Sequence, residues 1–270
     1  MVFETGANKA PFKLGLLHRG RCGSQPRGVR CKKCLSIVSG VFKRATTSTQ
    51  EAPLSDTDRS GRLQNTYDTN VATDATSSRE VAEIYDNWAE DYERRILSYG
   101  YSTHAVTAWF FGRYVRPKDG AVLDAGAGTG IMGQILAPHG YNDLVGIDIS
   151  DRMLELARKK GVYKDLRQME LGGQLDLPSD AFAAVVSTGV FAAGHAPPES
   201  FDELIRATKP GGYVIFSVRT DVYEDGGFKE KQEALEREGT WQLVEITDPF
   251  AHLPFEDPEL KVQIFAYRVR

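Results

Sequence analysis

Two carboxylates and three glycines carry the first chemistry legible in this chain. They sit in the runs Val122-Leu123-Asp124-Ala125-Gly126-Ala127-Gly128-Thr129-Gly130 and Leu144-Val145-Gly146-Ile147-Asp148. Each run opens with residues suited to a short buried strand. The first enters a glycine-dense turn and then a helix from Ile131, and the second ends on an acid. A strand, a tight glycine turn, a helix and a second strand with a terminal carboxylate form the ribose-binding half of a nucleotide fold. Glycine suits such a turn because it tolerates positive φ and leaves no Cβ between backbone and ligand. The spacing departs from the dinucleotide pattern G-x-G-x-x-G, in which pyrophosphate rests on a helix N-terminus. Ile131 stands where the third dinucleotide glycine belongs, and Asp124 lies two residues before Gly126. A carboxylate there repels a pyrophosphate and suits a cationic ligand.

This D-x-G-x-G-x-G pattern, followed by Asp148 at the end of the next strand, resembles motif I of the class I S-adenosylmethionine-dependent methyltransferases. Their cofactor carries a sulfonium and an ammonium and no phosphate. The resemblance implies an α/β fold with a seven-stranded, mostly parallel, doubly wound sheet, its last strand antiparallel, and an N-terminal helical lid. It implies S-adenosylmethionine held by Asp124, Gly126, Ala127, Gly128, Gly130 and Ile149, with Asp148 at the ribose. Met153 falls where the family packs a side chain on the adenine, and is equally a core methionine. Glu170 is the expected acceptor of the adenine amino group, with Asp176 its rival because Gly172-Gly173-Gln174 makes the register ambiguous. Thr188 follows the fourth strand at the carboxyl edge of the sheet, where α/β proteins bind ligands.

The elements that position these residues follow from apolar spacing. Val81, Ile84, Tyr85, Trp88, Tyr92 and Ile96 recur at three and four residues and predict a helix over Glu80–Leu97. Its string Y-D-N-W-A-E-D-Y resembles the lid helix of many small-molecule methyltransferases, which brings Tyr85 and Tyr92 to the cofactor. Trp88 reads as an ordinary packing residue. A second helix, Ser102 to about Arg116, carries Val106, Trp109, Phe110 and Tyr114 on one side and ends before Pro117. The helix from Ile131 presents Ile135 and Leu136 to the sheet. Ser150 caps the helix Asp151–Lys160, which Gly161 closes. Further strands are expected at Leu166–Glu170, Phe182–Ser187, Tyr213–Val218, Trp241–Thr247 and Val262–Val269. Helices are expected at Phe201–Thr208 and Glu230–Glu238, the latter as a solvated face, and Lys209-Pro210-Gly211-Gly212 resembles motif III of the same family.

Charge divides the chain. Residues 1–50 carry ten Lys/Arg and one acid, Glu4, whereas the remaining residues carry a net charge of −13. An acidic body argues against nucleic acid as the substrate, since phosphate binding needs a basic face. The 41% hydrophobic content supports a sizeable core, and no apolar run approaches a membrane span. The basic stretch reads as a disordered leader, with residues 45–78 as a polar linker and 79–270 as the methyltransferase domain. Its composition also matches a mitochondrial presequence, so the expectation is a cytoplasmic protein, or a mitochondrial one if residues 1–50 are a transit peptide. Cys22, Cys31 and Cys34 all lie in the leader. With His18 they supply the ligand types of one zinc site, but their spacing matches no finger, and no metal is expected.

His195, in the loop after the fourth strand, is the candidate base or substrate ligand, and a histidine merely lining that loop is the alternative. Tyr99, Tyr101 and His104 are candidates for the substrate side. The run Thr188–Glu203 together with Tyr85–Tyr92 resembles the methyltransferase-like proteins named for the Williams–Beuren syndrome chromosomal region, over about residues 79–270. The Asn-Pro-Pro-Tyr type motif of amide and base N-methyltransferases is replaced by Ser187-Thr188-Gly189-Val190. The expected acceptor is therefore a small molecule or a carboxylate or hydroxyl group, with a protein side chain left open as an alternative. A cofactor-binding protein without methylation activity is the alternative, and an NAD-dependent oxidoreductase is disfavoured by the glycine spacing and Asp124.

Overall fold

The computed structural model describes residues 77–270. The basic leader with its cysteines, and the linker up to residue 76, lie outside the described residues. The lid helix α1 (Ser78–Ser98) begins at Ser77, whose hydroxyl accepts the Glu80 amide, and α2 (Thr103–Tyr114) follows it. The alternating body then runs β1 (Val122–Ala125), α3 (Ile131–Leu136), β2 (Leu144–Asp148), α4 (Asp151–Lys160), β3 (Asp165–Gln168), β4 (Phe182–Phe191), α5 (Ser200–Ala207) and β5 (Thr208–Arg219). It closes with α6 (Thr220–Tyr223), α7 (Phe228–Arg237), β6 (Trp241–Ile246), β7 (Phe250–Leu253) and β8 (Asp257–Val269).

The strands form one eight-stranded sheet in the order β3-β2-β1-β4-β5-β8-β6, with β7 pairing β8 off that path. All pairs from β3 to β5 are parallel, and β8 is antiparallel to β5, β6 and β7. The period of two sorts side chains onto two cores. Leu123, Val214, Phe216 and Phe265 enter one, and Val122, Ile215, Ile264 and Ala266 the other. Helices cover both faces, as a mostly parallel sheet requires.

Several boundaries differ from expectation. The sheet has eight strands rather than seven because β7 was hidden: Pro249 and Pro254 bracket it, and proline reads as a strand breaker. β4 does not stop at Ser187 but continues to Phe191 through a register shift against β5. Gly189 there takes φ +75° and donates its amide to Ser217 Oγ at 2.9 Å, so the glycine marks a bulge rather than a strand end. The Lys209–Gly212 turn is likewise a bulge inside β5, since Phe182 pairs with Thr208 and Ala184 with Tyr213. In α2 the inward stripe is Thr107, Phe110 and Phe111, while Trp109 is 63% exposed. Arg113 covers that indole at 5.2 Å. Met132, not Ile135, joins Leu136 in packing α3 on the sheet. The helix expected to be a solvated face, α7, buries Phe228, Gln232 and Leu235.

One expected cofactor contact belongs to the fold instead. Asp124 is 2% exposed in the middle of β1 and accepts a 2.5 Å hydrogen bond from the Tyr163 hydroxyl, which itself accepts the Gly133 amide at 3.0 Å. A Cβ on Gly133 would lie 2.4 Å from the Tyr163 ring, so the glycine makes room for this network. Burial pushes the Asp124 carboxyl up to about 7, against the Tyr163 bond, and the nearby Asp148 charge adds to the rise. Because the folded state holds this proton after the unfolded chain has lost it, stability declines as pH rises from about 4 to about 7. A shift of that size corresponds to about 4 kcal/mol. In urea titrations across this range, Asp124→Asn is expected to flatten the decline relative to the parent protein; parallel pH profiles would show that Asp124 enters the fold already ionised.

Candidate active site

The carboxyl ends of β1, β2 and β4, under α1, enclose a cleft of about 950 Å³, its open mouth included. Its floor is the turn after β1. Gly126 and Gly128 both take positive φ, at +80° and +53°. A Cβ on Gly126 would meet Val190 at 2.2 Å, whereas a Cβ on Gly128 would have nothing within 4 Å and would project into open space. The turn is held by Asp148, whose Oδ2 accepts the Gly128 amide at 2.7 Å and whose Oδ1 accepts the Ser150 amide at 2.9 Å. Burial raises the Asp148 carboxyl, while amides of Ser150, Gly128 and Ile149 oppose that rise. A carboxylate has about four lone-pair sites, so even with these three amides on it Asp148 keeps acceptor capacity for a ligand hydroxyl. Thr188, 6% exposed on the β4 side, has a buried hydroxyl with no hydrogen-bond partner among the described residues.

The lid crosses this floor on polar ties. Ser150 Oγ accepts the Met153 amide at 3.0 Å, as an N-cap should, and donates to Asp86 Oδ1 at 2.5 Å. Arg152 pairs with Glu90 at 3.1 Å and Lys160 with Glu93 at 2.6 Å. Inside these ties Tyr85 and Tyr92 face the cleft, their rings 6.1 Å apart. The Tyr85 hydroxyl lies 2.8 Å from His195 Nε2, and His195 Nδ1 lies 2.7 Å from the Ala193 carbonyl oxygen. A carbonyl only accepts, so Nδ1 carries the proton and Nε2 offers its lone pair to the Tyr85 hydroxyl. Burial lowers the His195 pKa, so this tautomer is neutral; the Ala193 bond opposes that shift.

Of the residues expected from sequence, Gly126, Ala127, Gly128, Asp148, Ile149, Met153, Glu170, Thr188, Tyr85, Tyr92 and His195 all line the cleft. Two do not. Asp124 lies beneath the turn in the network described above, and Gly130 packs against Ala157 and Tyr163. The rival acid Asp176 is also absent from the lining, which favours Glu170. His104 lines this cleft, while Tyr99 and Tyr101 line a second cavity of about 740 Å³, counted the same way, which shares Tyr85, Tyr92, Gly189 and His195 with the first. Sequence reasoning missed Ile131, Met169, Leu171 and Val190. Ile131 and Leu171 adjoin motif residues and were discoverable by adjacency; Val190 was hidden by the bulge at Gly189. Among the described residues no cluster could hold a metal ion, and no helix is long and apolar enough to cross a membrane.

Comparison with known proteins identifies the family and the fold. The family model of the methyltransferase domain matches residues 123–216, which span β1 to the middle of β5. Human methyltransferase-like protein 27 is 34% identical over 166 residues, covering 59% of this chain and 67% of the relative. A demethylmenaquinone methyltransferase of Symbiobacterium thermophilum is 32% identical over 146 residues, or 50% of this chain, and the match spans only 57% of that enzyme. In fold, the chain is similar to an S-adenosylmethionine-dependent methyltransferase from Thermotoga maritima, with TM-score 0.52 and 18% identity over 70% of this chain and 99% of the other. The glycine turn, the acid that ends β2 and these relatives together make the chain a member of the class I S-adenosylmethionine-dependent methyltransferases, with S-adenosylmethionine as its cofactor.

Proposed function

We propose that this enzyme methylates an oxygen of a small-molecule acceptor, a hydroxyl or a carboxylate, at the wall shared by the two cavities. The cofactor fits the first cleft on three counts: the open space at Gly128, the remaining acceptor capacity of Asp148 and the unpartnered Thr188 hydroxyl. In this reading Asp148 holds the ribose hydroxyls, Ile149 and Met153 flank the adenine, and Glu170 accepts its amino group. Tyr85 and Tyr92 close the cleft from the lid. When bound, S-adenosylmethionine supplies a methyl group on a cationic sulfur, already reactive toward an in-line nucleophile. The protein's task is then alignment and exclusion of water, with a base only where the acceptor arrives protonated.

The observation that carries the reading is the hydrogen-bond chain from Tyr85 to His195 to the Ala193 carbonyl. A hydroxyl acceptor beside Tyr85 can donate to the phenolic oxygen while the phenol passes its own proton to Nε2. The proton leaving the acceptor thus ends on His195, and the Nδ1 bond to Ala193 steadies the resulting cation. A carboxylate acceptor needs no such relay. A small molecule suits the acidic body better than a nucleic acid does.

Two measurements test this. In calorimetric titrations with S-adenosylhomocysteine, Asp148→Ala is expected to weaken binding by at least about tenfold, the order of a lost charge-assisted hydrogen bond; unchanged affinity would remove Asp148 from the ribose site. With hydroxyl acceptors, His195→Gln and Tyr85→Phe are each expected to slow turnover by about 10²-fold. The parent kcat/KM should rise with pH and level off below the ordinary histidine pKa of about 6.5. Carboxylate acceptors should be spared by both substitutions, and equal losses on both acceptor types would assign the pair a packing role.

A further inference from the structure

The second cavity has a composition of its own. Its walls are largely aromatic, with Trp88, Tyr92, Tyr99, Tyr101 and Phe191 among them. Among the described residues lining it none is a carboxylate, and Arg219 is the one formally charged side chain. Arg219 is only 15% exposed on its side chain. It donates from Nε and Nη2 to Asp221 at 3.1 and 2.5 Å. Asp221, at 43%, faces water. A guanidinium has five N–H donors, so this pair uses two and leaves Nη1 without a partner among the described residues. A donor left over on a guanidinium that lines an aromatic cavity is open to a ligand oxygen. The two imidazoles on the same cavity do not compete for an anion as cations. Burial lowers both, His252 to about 4, and the Arg219 charge pushes in the same direction.

Position along the cavity separates two roles. Tyr85, Tyr92, Gly189 and His195 line both cavities, whereas Arg219, His252 and Tyr101 line only the second. Arg219 therefore lines the second cavity outside the shared wall, while its charge still reaches His195. An anion paired with it is a handle rather than the reacting group. The reacting group lies at the other end, where Tyr85 and His195 are equipped to take a proton.

We propose that the second cavity takes a hydroxylated aromatic acid, its anionic group on Arg219 and its hydroxyl at the Tyr85–His195 wall. This rests on the methyl-transfer reading above and names the acceptor class for it. Arginine suits a planar carboxylate because its fork offers parallel donors, and the surrounding rings offer edge and face contacts to an aromatic ligand.

The test is calorimetry on the full chain, first with S-adenosylhomocysteine and then, on the loaded protein, with 4-hydroxybenzoate and 4-hydroxybenzyl alcohol. The acid is expected to bind roughly tenfold or more tightly than the neutral alcohol. Arg219→Gln should abolish that preference and Arg219→Lys should keep part of it, with S-adenosylhomocysteine affinity unchanged in both as the check on folding. If Arg219→Gln does not fold, the acid-against-alcohol comparison in the parent and in Arg219→Lys still decides the matter. Equal affinities for acid and alcohol, no binding of the acid to loaded protein, or a preference that survives Arg219→Gln would overturn the acceptor class alone. Failure of the parent chain to bind S-adenosylhomocysteine would overturn the underlying reading and this one together.

Discussion

The site depends on one carboxylate with its two oxygens divided between two elements. Asp148 ends β2, and from there Oδ2 takes the Gly128 amide and Oδ1 the Ser150 amide. The first bond holds the turn after β1 in its positive-φ path, and the second sets the first turn of α4. Ser150 then extends the chain, because its hydroxyl both caps α4 and donates to Asp86 on the lid. Turn, helix and lid are thus registered to each other through three polar groups at the edge of the sheet. The cost is a buried charge, visible in the raised pKa of Asp148, and the backbone amides offset it only in part. A cationic ligand in the same cleft would favour the ionised form.

The lid combines a weak rim with a specific interior. Its ion pairs, Arg152 with Glu90 and Lys160 with Glu93, are at least partly exposed, and such pairs contribute little individually. The interior contacts are aromatic and directional: Tyr85 meets Trp88 and His195 edge-on at 5.4 and 5.7 Å. Displacing α1 would break these ion pairs and the Ser150–Asp86 and Tyr85–His195 bonds, and would expose Val81, Ala89 and Ile96, none of which belongs to the two sheet cores.

Asp124 shows how a motif can be recognised while the role of one of its residues is not. The acid two residues before Gly126 is where the D-x-G-x-G-x-G pattern puts it, yet it faces Tyr163 and the core instead of the cleft. Tyr163 follows the end of α4, and no local signal joins it to β1. The same holds for Tyr85 and His195, 110 residues apart in sequence and 2.8 Å apart in space.

Local sequence was enough for what depends on local physics. The glycine spacing, the acid at Asp148, the N-cap Ser150 and the three-and-four spacing of the lid each report on backbone geometry or amphipathicity within a few residues, and each was legible. Strand ends were less so. A glycine in a bulge looks like a glycine in a turn, which shortened β4, and two flanking prolines hid β7. What only the tertiary structure decided was direction and pairing: Asp124 inward, Trp109 outward, the tautomer of His195 fixed by the Ala193 carbonyl, and Arg219 brought to an aromatic cavity. These depend on which distant segments share one side of a sheet, and that is set by strand order and packing, which no stretch of sequence carries by itself.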